Sequence, residues 1–195
     1  MALTNLQENL LILALIKGQL EAALRTLIPE EHIKDEDLKF TVTNHLHILI
    51  CSFLDEWKRL EGLGTDATVR TTLRLCSPAI SRIRQWTGLH KIRSTFLAHG
   101  SRDKTGSLVY AWDVMNEQAV PTRYAETILL GNCALVASNI VFQRHSQEYT
   151  DATAQISAQS RDIPERGIRT VGEIKEELAK IGVDIQRIAD NLKES

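Results

Sequence analysis

Cysteine is scarce in this 195-residue chain, and the three that occur, Cys51, Cys76 and Cys133, sit far apart in apolar stretches. An odd number at wide spacing argues against a disulfide framework or a zinc site and fits buried thiols in a reducing compartment. Proline (four) and glycine (ten) are also few, so little interrupts long regular elements. No excess of one charge is present: the net charge is -2 and the pI near 6.3, which excludes a uniformly basic nucleic-acid coat but not a local basic surface. No uninterrupted apolar run approaches the roughly 20 residues of a membrane span. The opening segment "LTNLQENLLILALIKG" has no basic leader and carries Glu8 and Asn9 within it, unlike a signal peptide. A cytoplasmic protein without a membrane partner is expected.

What is present is helical periodicity, and the expected fold class is all-α. Thr4 with Gln7 makes a capping box, Leu6, Leu10, Leu13, Leu20, Leu24 and Leu27 share a face, and Pro29 ends the helix. "KFTVTNHLHILI" alternates like a strand, but Leu38, Val42, Leu46, Leu49, Phe53, Trp57 and Leu60 keep helical spacing over a longer window, and length favours the helix. A third helix is expected over about 67–76. Ser77-Pro78 has the form of a helix start, and a fourth helix should follow to Gly100. "LVYAWDV" suggests a short strand or an irregular arm. Pro121-Thr122 should open a fifth helix through about 149, apolar nearly all round and so central.

Domains follow from composition: a bundle of four to five long helices over 1–150, a polar linker with some helical content over 151–169, and an amphipathic helix over 170–195. In the last, Thr170 and Glu173 form a capping box. Val171, Ile174, Leu178, Ile181, Ile185, Ile188 and Leu192 then follow at steps of three and four, a coiled-coil seam. It either docks on its own bundle or zips to another copy.

The chemistry-bearing stretch is "KIRSTFLAHGS", with Arg93 and, six positions on, His99. Arginine followed by four to six residues and histidine is a loose pattern: with 14 Arg and six His the chain has three matches, Arg25–His32, Arg84–His90 and Arg93–His99. Context separates the last. From Val69 to Lys104 there are eight Lys or Arg against one acid, Asp103, a concentration suited to phosphates. Gly100 has the form of a helix stop, placing His99 in the last turn, where the dipole favours its protonated form. Histidine switches charge near neutral pH, and arginine holds two phosphate oxygens at once.

"RSTFLAHG" resembles the signature of the HEPN superfamily, all-helical bundles in which an arginine is followed after four to six residues by a histidine, often with a small residue such as Ala98 before it. The layout from about 1 to 150 is similar to the abortive-infection branch. The resemblance implies an endoribonuclease of the defence or toxin–antitoxin kind that needs no metal or other cofactor. The RNA's own 2′-hydroxyl would attack the neighbouring phosphorus, with His99 transferring the proton and Arg93 clamping the phosphate. It also implies a homodimer and an antitoxin or other protein partner. Ser94 stands where active members commonly carry Asn, Asp or His. Ser94, His90, Arg102 and Asp103 are candidates for supporting that pair or touching RNA.

On an uninterrupted α-helix six residues advance roughly 600°, leaving Arg93 and His99 about 120° apart. One helix cannot converge them on one phosphate. Either the helix changes between them or two copies each supply part of the site. His45 and His47 lie about 200° apart on a helix, so no metal site is expected there. The second functional reading is a non-catalytic helical dimer that binds a protein or nucleic acid.

Overall fold

The computed structural model describes residues 2–27, 36–98, 105–159 and 170–193. The fold is all-α, and among the described residues no strand occurs. Among the described residues eight α-helices follow one another: α1 (Asn5–Leu27), α2 (Glu36–Gly62), α3 (Ala67–Arg84), α4 (Leu89–Ile92), α5 (Ala111–Glu117), α6 (Tyr124–Arg144), α7 (Ser146–Gln159) and α8 (Val171–Lys193). A π-helical segment, Arg93–Ala98, continues α4. Two compact units result, Met1–Ala158 and Gln159–Ser195, so residues 151–158 belong to the first and are helical.

α1, α2 and α6 pack mutually, and α3 lies against α6. The Thr4–Gln7 capping box starts α1, with each backbone N–H bound by the other side chain. The core gathers Leu10, Leu13, Leu20, Leu24 and Leu27 from α1, Leu46, Ile50, Phe53, Trp57 and Leu60 from α2, and Leu130, Ala134, Ala137 and Val141 from α6. Each fully buried leucine contributes about 1.5–3 kcal/mol relative to exposure. α6 comes close because Gly131 is small: a Cβ there would lie 3.1 Å from Leu46 Cδ1 and 3.2 Å from Leu24 Cδ2. By length and composition α6 is apolar enough to cross a membrane, as core helices also are. Here its buried side faces α1, α2 and α3.

Four expectations are corrected. Ser77-Pro78 does not start a helix. α3 begins at Asp66, whose carboxylate accepts from Thr68 and Val69 N–H at 2.8 and 2.9 Å, and it runs through Pro78. A proline inside a helix costs about 3 kcal/mol. The buried stripe Val69, Thr72, Cys76, Ile80, Ile83 continues across it and offsets that cost. Next, the helix expected to reach Gly100 stops at Arg84. Gly88 donates its N–H to Ala119 O at 2.9 Å, and a Cβ on Gly88 would meet Val120 Cγ2 at 2.4 Å. Only glycine lets residues 118–120 lie this close, and the chain restarts as α4 beyond it.

The stretch "LVYAWDV" is neither strand nor irregular arm throughout, because Ala111–Glu117 is helical and Val114 is buried with Ile92 and Val120. Finally, the helix expected to run from Pro121 to about 149 is two helices that part at His145. That ring turns inward, is 1% exposed and meets Thr72 Oγ1 at 3.0 Å. Arg144 Nε donates to the same hydroxyl at 3.1 Å. One side-chain oxygen on α3 thus fixes the junction of α6 and α7.

Among the described residues His47 is a second buried histidine. Its Nε2 lies 3.0 Å from Thr127 Oγ1, and burial pushes its pKa from 6.5 down to about 4. The folded state therefore binds fewer protons than the unfolded state between those values, and stability falls as pH drops through that window. Between pH 7 and pH 5 this group alone is expected to remove about 2 kcal/mol. Urea unfolding at both pH values checks it: His47→Gln should shrink the difference by that amount. Gly88→Ala should destabilise by about 1–3 kcal/mol through overpacking, measured in the same way. An unchanged midpoint would mean that residues 118–120 yield freely.

Candidate functional site

α4 is a single turn with Leu89 and Ile92 buried. Arg93 follows, its N–H shared between His90 O and Leu89 O, and from Arg93 the winding becomes π for six residues. A π segment carries more residues per turn because each bond reaches five residues along, and such segments are rare and frequent at functional sites. The 120° offset between Arg93 and His99 assumed α winding and so does not hold over this segment. The segment packs on α2, with Thr95 buried.

α2 supplies what holds Arg93. Asp55 Oδ2 accepts from Arg93 Nη1 at 2.8 Å, with the arginine side chain 34% and the aspartate 51% exposed. Asp55 takes one of the five N–H groups of the guanidinium, which leaves donors in the same plane that can bind two oxygens of a phosphate. One turn earlier on α2, Cys51 is fully buried. Burial pushes its thiol up to about 12, Arg93 opposes that shift and Asp55 adds to it. The thiol stays neutral at physiological pH and is no nucleophile.

The other candidates divide as follows. His90 is exposed on α4, three residues before Arg93 and so on the same side. Ser94 is exposed, and its hydroxyl donates to Lys91 O at 3.1 Å, so it is engaged with its own helix. His99, Arg102 and Asp103 lie outside the described residues. The basic stretch is also less open than its composition suggests. Arg84 pairs with Glu61 at 2.8 Å, and Arg70 donates to the carbonyls of Gly64 and Thr65. α2 provides both acids, Asp55 and Glu61, on the side of the basic run. Sequence reasoning missed Asp55, which belongs to no motif and lies 38 positions from its partner.

Elsewhere, a hollow of about 380 Å³ is lined by α1 and α2 residues, Asn5, Glu8, Asn9, Ile12, Glu56 and Arg59 among them, and not by Arg93. In its wall, Asn9 donates to Glu56 through both the backbone carbonyl and the carboxylate, at 2.9 and 3.1 Å. Among the described residues no three His, Cys, Asp or Glu come together as metal ligands. The chain matches no family model, no curated protein and no solved structure.

Exposed pairs contribute little, typically 0.2–1 kcal/mol. A double-mutant cycle of Arg93→Ala and Asp55→Ala, read by urea unfolding, should give a coupling of about 0.2–1 kcal/mol. Zero coupling would show that the two side chains do not hold each other in solution.

Proposed function

We propose that the chain is an endoribonuclease of the HEPN kind, acting as a homodimer in which Arg93 and His99 of two copies complete a site. The observation that supports this most is Arg93 itself: half-buried, positioned by Asp55, at the first residue of a π-helical segment, with donors left for an anion. Arg93 would hold the scissile phosphate and neutralise the charge that builds on it. His99 would move the proton of the attacking 2′-hydroxyl. The products would be a 2′,3′-cyclic phosphate and a 5′-hydroxyl, and no cofactor takes part.

One observation favours a second reading, a non-catalytic helical dimer that binds protein or nucleic acid. Asp55 places a carboxylate on the guanidinium that a phosphate would need, and Ser94 bonds its own helix rather than Arg93. Phosphate would then have to share or displace Asp55.

Cleavage of single-stranded RNA in EDTA separates the two. The wild type should cut, and Arg93→Ala and His99→Ala should each lose about 100-fold or more. Activity unchanged in either variant removes that residue from the site. A wild type that binds RNA or a protein without turnover supports the binding module.

A further inference from the structure

α8 is 23 residues long, and its apolar side chains Ile174, Leu178, Ile181, Ile185 and Ile188 are each between 44% and 62% exposed. A lone helix in water gains little from propensity and needs a packed face; Gly182, which opens α8 further to unwinding, makes that need sharper. Contiguous exposed apolar surface of this kind marks an interaction site. We infer that residues 171–193 join four copies of this chain, two of the proposed homodimers, into a parallel coiled coil.

The occupant follows from the register. Steps of three and four place Val171, Leu178, Ile185 and Leu192 at position a, and Ile174, Ile181 and Ile188 at position d. Two-stranded coils favour β-branched residues at a and leucine at d. Here every d is isoleucine and two of the four a positions are leucine, the pattern that directs more than two strands. With four strands each helix contacts its neighbours beyond the a/d seam, along the flanking rows. Position e holds Lys175, Gly182 and Ala189, and the last two are small enough for that approach.

Charge selects like copies and their direction. Over 171–193 five acids face four bases, so copies do not repel one another as a whole. The g positions carry Glu177 and Asp184, already paired within the helix to Lys180 at 3.2 Å and Arg187 at 2.9 Å. In a parallel coil those acids fall beside the uncharged e residues Gly182 and Ala189. In an antiparallel coil Glu177 of one copy faces Asp184 of the next, and like charges meet. The parallel arrangement avoids that repulsion.

This inference does not rest on RNA cleavage, and its test reads mass alone. Light scattering of the full chain should give the mass of four 21.9 kDa chains. Ile181→Asp, in the central d layer, should lower that mass at least twofold, while Val183→Asp, at the outward f position, should leave it at four. Circular dichroism of both variants at the wild-type level shows that the bundle still folds. Ile174→Cys should form an interchain disulfide on oxidation, because in-register parallel copies place this d residue against itself. A wild-type mass of one, two or three chains, or a mass of four that survives Ile181→Asp, overturns the assembly. An Ile174→Cys chain that stays uncrosslinked overturns the parallel direction.

Discussion

The close approach of α6 to α1 and α2 at Gly131 is the constraint on which the bundle depends. A methyl group on Gly131 would press to 3.1 Å from Leu46 and 3.2 Å from Leu24, so the leucines would have to give way. With α6 this near, Tyr124 donates its hydroxyl to Leu27 O at one end, and Cys76 reaches Ala137 O from α3 farther along. The His47–Thr127 bond lies in the same contact, and it ties α2 to α6 through a ring that must stay neutral. Packing at one small residue therefore aligns three helix pairs. α2, positioned this way, presents Asp55 to Arg93.

Much of the fold was legible because single, local signals agreed with the global arrangement. The Thr4–Gln7 box and the leucine face of α1, and the long apolar spacing of α2, each said the same thing as the packed core. The failures share a different cause. At Ser77-Pro78 the local signal for a helix start was strong, but burial of Cys76, Ile80 and Ile83 outweighed it. At His145 no local signal for a break exists, since the break is made by Thr72, 73 residues away. Gly88 did break a helix, for a reason that only its neighbour at 118–120 reveals.

The candidate site was legible in part for the same reason. Arg93 and its basic surroundings are sequence-local, and they stand out. Asp55 and Glu61, which temper that charge, come from a different helix, so counting charges along the chain overstated the field. The π winding that begins at Arg93 also has no compositional mark in "RSTFLA". Side-chain spacing implies a direction only when the winding is known, and a change of winding alters which residues converge.

That winding has an evolutionary side. A helix that shifts from α to π has absorbed a surplus residue without breaking its axis. Removing one residue between Arg93 and Ala98 would restore α winding and leave everything after it facing much as it does now, because the wider π turn spends that residue without advancing the face. A change of length that leaves the winding as it is, by contrast, turns everything after it by about 100° relative to Arg93. This stretch can therefore lose its surplus residue at little cost in facing, whereas a further deletion or an insertion rewrites which side chains share a side with Arg93.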